Sequence, residues 1–444
     1  MDLLGDIGNA DQLTSVRSEN AVLQEKVKHL SFRVKELTIE NESLKAEVEL
    51  YRKEAALTGF SKLSVASSDD AMDTTTTDSA VESEDFLRSG NGVYPQKPEV
   101  SLLNLHGLAN PSCCALSSDE TVLATGGADC HLSLCAWGAA SDEESSKKVV
   151  AQACRVRCDG PVIAIATHPQ KMVAAGCMDG SVWVVHYDMV TGQGLVVKAT
   201  TKIPTKHGKY VKSVAWRTTT NSSDNHLLAT ASADGTVQVH QVAVKIDYVK
   251  DETTIHVTTI EKLHLQHAVE SVCFVADELC CYAREKPYLQ CFDTTKDFQL
   301  RKLSLNHGGK PAAAGTSMED QHVSFAVMDM AVSPNGKYLA LATDASRNII
   351  VEMETGLHIR NLYGHQNDGF SNPKVAWSSN GQYLLGNTQA DSSLCVWDIS
   401  STQLVQRYKD VHSQTIRDMC SSSSTDILVT TSFDKNTQLW FGPP

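Results

Sequence analysis

The stretch ADSSLCVWDIS, residues 390–400, is the first indication of the fold, because a related stretch, FDKNTQLWFGPP, follows at residues 433–444. In each stretch an aspartate stands six positions before a tryptophan, with alternating apolar residues between them. The two pairs are Asp391 with Trp397 and Asp434 with Trp440. This pattern predicts a β-strand that follows a turn, and its recurrence suggests a repeat.

Related units extend back through most of the chain. Their turn aspartates are Asp129, Asp179, Asp234, Asp344, Asp391 and Asp434. The spacings are 50, 55, 110, 47 and 43 residues, and the spacing of 110 holds two units because the fourth unit lacks its aspartate. Such a period is typical of propeller blades with loop insertions.

These segments resemble WD repeats, the family named for the Trp-Asp pair that stands here at Trp397 and Asp398. The resemblance covers residues 99–444 and implies an all-β propeller of four-stranded antiparallel blades, with seven blades favoured and six or eight still open. Val185 and His240 replace the tryptophan in blades two and three. The family's hydrogen-bonded His–Ser–Asp–Trp set implies structural roles for His365, Asp391, Trp397, His412, Ser432, Asp434 and Trp440.

Closure of the ring is also implied by the resemblance. The chain ends on QLWFGPP, the third strand of blade seven, so this blade lacks a fourth strand. In WD-repeat propellers an N-terminal strand completes the last blade. The alternating segment EVSLLNL, residues 99–105, is placed to do so.

A heptad pattern precedes the repeats and predicts an α-helical coiled coil over residues 10–56. Val at a with Leu at d favours a parallel dimer, and asparagines at two a positions specify its register at a cost in stability. A heterodimer, or a helix that docks on another protein, stays open. The predicted seam is Leu13, Val16, Asn20, Leu23, Val27, Leu30, Val34, Leu37, Asn41, Leu44, Val48 and Tyr51.

Residues 57–98 are predicted to be a disordered acidic linker. Between Ser61 and Asp85 there are seven acidic residues and one lysine. Such a segment cannot bury enough apolar surface to offset its ordering entropy.

Composition argues against several functions. A net charge of −14 disfavours a phosphate-binding nucleic-acid surface, and no signal peptide or apolar run of membrane-spanning length is evident. The thirteen cysteines include no C-x-x-C pair, so we interpret them as buried thiols of a cytoplasmic protein, with the nucleus as the alternative location. No catalytic motif occurs, so neither an enzyme nor a cofactor or metal site is predicted.

Binding is therefore the predicted function. In WD-repeat proteins, first-strand residues and the residue before the turn aspartate face partners, which implies partner-binding roles for Met178, Lys212, Glu270, Arg417 and Phe433. The order of segments resembles coiled-coil/WD-repeat scaffold proteins and implies a dimeric scaffold. The alternatives are a ubiquitin-ligase substrate receptor, whose Trp-Asp-x-Arg motif is broken here by Ser400, and a propeller enzyme.

Overall fold

The computed structural model describes residues 90–139, 148–190, 193–218, 226–247, 252–306, 323–367 and 372–442. All of them lie in the unit Asp78–Pro444. The predicted coiled coil, and the predicted linker as far as residue 89, lie outside the described residues. In the described part of the chain, no helix is long and apolar enough to cross a membrane.

The described residues form seven four-stranded antiparallel sheets, which confirms the seven-bladed all-β propeller. Blade one contains β2(Pro111–Leu116), β3(Val122–Gly127), β4(His131–Ala139) and β5(Lys148–Arg157), and blade two contains β6(Val162–His168), β7(Met172–Cys177), β8(Val182–Val190) and β9(Gly194–Lys202). Blade three contains β10(Val211–Trp216), β11(His226–Ser232), β12(Thr236–Asp247) and β13(Glu252–His264), and blade four contains β14(Val269–Val275), β15(Glu278–Ala283), β16(Tyr288–Asp293) and β17(Gln299–Ser304). Blade five contains β18(Val327–Val332), β19(Tyr338–Thr343), β20(Asn348–Glu352) and β21(His358–Leu362), and blade six contains β22(Val375–Trp377), β23(Tyr383–Asn387), β24(Leu394–Asp398) and β25(Leu404–Tyr408). Blade seven contains β26(Ile416–Ser421), β27(Ile427–Ser432), β28(Asn436–Phe441) and β1(Lys97–Leu103).

The first strand of each blade lines the central channel. These strands contact one another in the order β2, β6, β10, β14, β18, β22, β26 and back to β2. Between every two neighbouring blades lies one cluster of buried apolar side chains, and the seven clusters of the described residues fill the seven interfaces. The core is therefore a ring of packed interfaces, and it depends on closure.

Strand β1 closes the ring, as predicted. It pairs antiparallel with β28, from Lys97 opposite Phe441 to Leu103 opposite Asn436. Leu102 is buried in the cluster between blades seven and one. The strand lies two residues earlier in the chain than the predicted segment 99–105.

The prediction that the disordered linker extends to residue 98 was wrong for its last part, because residues 90–98 contact the propeller. The Gly90 amide donates to Asp398 Oδ2 at 2.9 Å, and the Gly92 amide donates to the Tyr383 hydroxyl at 2.7 Å. The Tyr94 ring packs on Tyr383 with a centroid separation of 4.7 Å. The chain is thus attached to blade six before β1 begins.

A buried hydrogen-bond chain crosses blade seven, but it uses a different hydroxyl from the predicted one. His412 Nδ1 lies 2.9 Å from Asp434 Oδ2, and its Nε2 lies 2.9 Å from Thr430 Oγ1. Trp440 Nε1 donates to the same Thr430 oxygen at 3.0 Å. Burial lowers the pKa of His412, so the neutral ring donates to Asp434 and accepts from Thr430. Ser432 instead donates to a backbone carbonyl.

Blade six lacks the predicted hydrogen bonds of its histidine. Both ring nitrogens of His365 are buried without a partner among the described residues, and the ring packs edge-on against Trp397 at 5.0 Å. Asp391 pairs with Arg407 at 3.0 Å instead, while Trp397 Nε1 donates to the Tyr363 carbonyl at 2.7 Å. Burial, with the nearby Arg407 charge, lowers the pKa of His365 to about 4, so the ring is neutral near pH 7.

Blade three contains a hydrogen-bond chain that the sequence analysis missed. His207 Nε2 lies 2.8 Å from Thr230 Oγ1, and Thr230 Oγ1 lies 3.3 Å from His240 Nε2. His240 therefore takes the place that Trp440 has in blade seven. The available signal was a histidine upstream of a turn aspartate, since His207 precedes Asp234 by 27 residues and His412 precedes Asp434 by 22.

We expect Thr430→Val to lower the free energy of unfolding by about 2 kcal/mol, measured by chemical denaturation. The substitution keeps the side-chain shape but leaves His412 Nε2 and Trp440 Nε1 unpaired in the core, and an unsatisfied buried polar group costs about 1–3 kcal/mol. Thr431→Val is the matched control, because the Thr431 hydroxyl is buried without a partner among the described residues. Equal losses in the two variants would show that the hydrogen-bond chain adds nothing to stability.

Candidate partner-binding site at the channel mouth

A β-bulge recurs at the start of the innermost strands. In six blades the register shifts by one residue directly after the first residue of the strand. In blade six, Lys374 directly precedes β22 and bonds to Asn387, at the position that follows the bulge residue in the other blades. A bulge redirects the side chain of the extra residue. The bulge residues, with Lys374, are Ser112, Ile163, Lys212, Glu270, Met328, Lys374 and Arg417.

All seven of these residues line one cavity of about 580 Å³. Because every blade contributes to its wall, this cavity is the mouth of the central channel, and we call it the mouth. The five residues predicted to bind a partner all lie there: Met178, Lys212, Glu270, Arg417 and Phe433. The structure thus brings together side chains that lie up to 255 positions apart in the chain.

Glu270 is the acidic centre on one side of the mouth. Its side chain is buried, and Oε1 accepts from Arg284 Nε at 2.9 Å. Lys212 Nζ bonds to the other carboxylate oxygen. Two cations therefore share one carboxylate, and neither Lys212 nor Glu270 is an independent surface charge.

Lys374 is the basic centre on the other side. Its ammonium lies 3.3 Å from Asp329 and 3.5 Å from Asp418, which come from the neighbouring blades. Burial would lower the pKa of Lys374, but the two aspartates outweigh it and the pKa is raised. Burial raises the pKa of Asp329. This triad links blades five, six and seven across the channel.

Arg417 is the fourth cation of the mouth, and its guanidinium lies 4.8 Å from the Phe433 ring centroid. Among the described residues, no carboxylate lies within 4 Å of it, and its Nε is buried without a hydrogen-bond partner. Burial lowers the pKa of Arg417. Exposed apolar side chains lie on the same rim, with Met178 57% and Tyr210 38% exposed.

Sequence reasoning missed several mouth residues. Met328 was within reach, because it occupies the same strand position as Lys212 and Arg417, whereas Lys374 lies at the next position. Asp329 and Asp418 carried no local signal, since their pairing with Lys374 depends on how three blades meet.

One group could in principle hold a metal. Glu278, Cys280 and Cys291 present ligand atoms within 4.8 Å of one another in blade four. However, Arg301 Nε already donates to Glu278 at 3.1 Å, and its Nη2 bonds to the second oxygen at 2.5 Å. The two thiols belong to the apolar cluster between blades four and five. We therefore assign these residues to packing.

A family model described as WD domain, G-beta repeat matches residues 99–135, 199–241, 356–398 and 403–440. Each of these segments contains the outer strand of one blade, or part of it, and the inner three strands of the next. Blades two, four and five lie mostly outside the matches, and the first two of them lack the tryptophan or the turn aspartate. A search of curated proteins gave no significant match.

Proposed function

Because the chain carries WD40 repeats folded into a seven-bladed propeller, we propose that it is a non-enzymatic scaffold that binds partner proteins at the mouth. WD40 propellers generally bind protein partners. The observation that carries the proposal is the convergence of Met178, Lys212, Glu270, Arg417 and Phe433 on one cavity. Exposed apolar side chains beside a partly buried arginine are the composition of an interface hot spot.

The proposal includes dimerisation through residues 10–56 and a linker that begins at residue 57. Both lie outside the described residues, so this part rests on the heptads from Leu13 to Tyr51 and on the acidic composition that follows. A flexible chain of about 30 residues spans about 30 Å root-mean-square. Two propellers on such linkers would bind one clustered partner with an effective concentration near the millimolar range.

We place the protein in the cytoplasm, with the nucleus as the alternative. The support is chemical, since all thirteen cysteines are free thiols. Cys280 and Cys291 remain thiols although their sulfur atoms are only 3.1 Å apart. Reduced cysteines in such number are typical of a reducing compartment.

Breaking the coil tests the scaffold proposal. Leu30→Pro should leave the affinity for a monomeric partner unchanged and lower the apparent affinity for a clustered partner at least about tenfold, because it removes the second attachment. The partner is first isolated by pull-down with the whole chain, and affinities are then measured on surfaces of low and high partner density.

Phe433→Ala is the comparison variant. It should weaken binding on both surfaces, and more strongly on the dense one, because each of the two attachments then loses affinity. If Leu30→Pro binds the dense surface as tightly as the wild type, the N-terminal helix serves another purpose. If Phe433→Ala and Met178→Ser both leave binding unchanged, the partner site is not the mouth.

A further inference from the structure

The charges of the mouth are not evenly matched. Four cations and three carboxylates line it in a chain whose net charge is −14. Glu270 serves Lys212 and Arg284, while Asp329 and Asp418 serve Lys374. Arg417 feels the charge of Asp418, but among the described residues no carboxylate forms an ion pair with it within 4 Å. The mouth thus has one cation left over, at a defined place.

The position of Arg417 makes an anion the fitting ligand. Its side chain is partly withdrawn from water, and its guanidinium lies over the Phe433 ring, which restricts where it can move. A planar guanidinium binds a carboxylate through two parallel hydrogen bonds, and such charge-assisted bonds are about twice as strong as neutral ones. The Nε–H is buried without a partner in the described part of the chain, so an anion in the mouth would pair with the terminal Nη groups.

The rim beside Arg417 favours an apolar group in the ligand, in addition to the anion. Met178 is 57% exposed at a tight turn and belongs to none of the seven buried apolar clusters of the described residues. Tyr210 and Phe433 line the same cavity. An exposed methionine with two aromatic rings accepts a bulky apolar side chain at little conformational cost.

We propose that the mouth binds a linear segment of a partner protein in which an aspartate or glutamate side chain pairs with Arg417. A bulky apolar residue of the same segment then packs against Met178, Tyr210 and Phe433. This inference rests on the proposed function and adds the chemistry of the ligand. The buried ion pairs of Glu270 and Lys374 stay intact and keep the cavity in shape.

The test selects ligands from random sequences, so it does not require an identified partner. The full-length protein is immobilised, and a phage library of random dodecapeptides is panned against it. We expect the selected peptides to be enriched in aspartate or glutamate close to a large apolar residue. A synthetic peptide of the commonest sequence should bind Arg417→Gln at least about tenfold more weakly than the wild type. Lys209→Gln should bind normally, because Lys209 is exposed outside the mouth.

A peptide with glutamine in place of its acid completes a double-mutant cycle. It should bind the wild type weakly and lose nothing further in Arg417→Gln. Equal loss with both peptides, or selected peptides without an acid, would overturn the inference. So would a phosphoserine version that binds over tenfold more tightly than the glutamate version, since the mouth would then be a phosphate site.

The two proposals fail differently. If the selected peptides bind at the mouth but carry no acid, only the ligand chemistry is wrong. If peptide binding is unchanged in Met178→Ser, Phe433→Ala and Arg417→Gln alike, the mouth is not the binding site and the proposed function fails too. Thermal unfolding of each variant shows that its fold has survived.

Discussion

Deletion of residues 97–103 is expected to abolish the cooperative unfolding of the propeller. These residues form β1, the fourth strand of blade seven, and the deletion removes its whole ladder with β28. It also removes Leu102 from the cluster between blades seven and one. The freed edge of β28 would then offer unpaired backbone groups to other chains, so aggregation should accompany the loss of structure.

The measurements are urea denaturation followed by tryptophan fluorescence, and sedimentation for aggregation. Deletion of residues 70–76, an equally long part of the predicted linker, is the control and should change neither. A soluble deletion variant with a single sharp transition would mean that the ring closes without β1.

Lys374→Met is expected to lower the free energy of unfolding by about 3–5 kcal/mol, the range for breaking a buried ion pair by removing one partner. The variant keeps most of the unbranched side chain but leaves Asp329 and Asp418 facing each other without their cation. Blade six depends on this contact, because its inner strand β22 has only three residues. Chemical denaturation at pH 7 measures the loss.

The loss of stability in Lys374→Met should depend on pH. Burial already raises the pKa of Asp329, and without the lysine that pKa rises further above its unfolded value. The folded variant then binds more protons than the unfolded chain, so its deficit should shrink as the pH falls from about 7 to about 5.

Two further variants complete the Lys374 test. Adding Asp329→Asn should recover part of the loss at pH 7. Lys209→Met, at an exposed position, should stay within about 0.5 kcal/mol of the wild type. A deficit in Lys374→Met that does not depend on pH would show that lost packing, and not the uncompensated charges, causes it.

The fold was readable from the sequence because each blade repeats the same local chemistry. A turn aspartate at near-constant spacing indicates a blade even where the tryptophan is replaced, as at His240. The identity of the buried hydroxyl in blade seven was harder. Thr430 and Ser432 lie on the same face of β27, because side chains two residues apart in a strand point the same way. The pattern therefore could not choose between them.

The site was half predictable for a related reason. Lys212, Glu270 and Arg417 occupy the bulge position of their strands, and a position that repeats in the sequence can be found there. Which charges pair with one another depends on how neighbouring blades pack in the ring, and not on the sequence of the single strand. In the same way, Asp391 forms an ion pair with Arg407 and not a hydrogen bond with His365. Arg407 comes from a neighbouring strand that no local pattern identifies.

The attachment of the N-terminal segment has a mechanical consequence. The chain enters the propeller through residues 90–93, which are bonded to blade six, and Gln96, which is bonded to Phe441 of blade seven, and continues into β1. Tension between a tether before residue 90 and a partner held at the mouth would first peel Gly90 and Gly92 from blade six. It would then pull on Lys97, at the end of the β1–β28 ladder. Resistance to force depends on the rate of unfolding. The contacts of residues 90–96 would therefore break first, before the closing strand β1 is loaded.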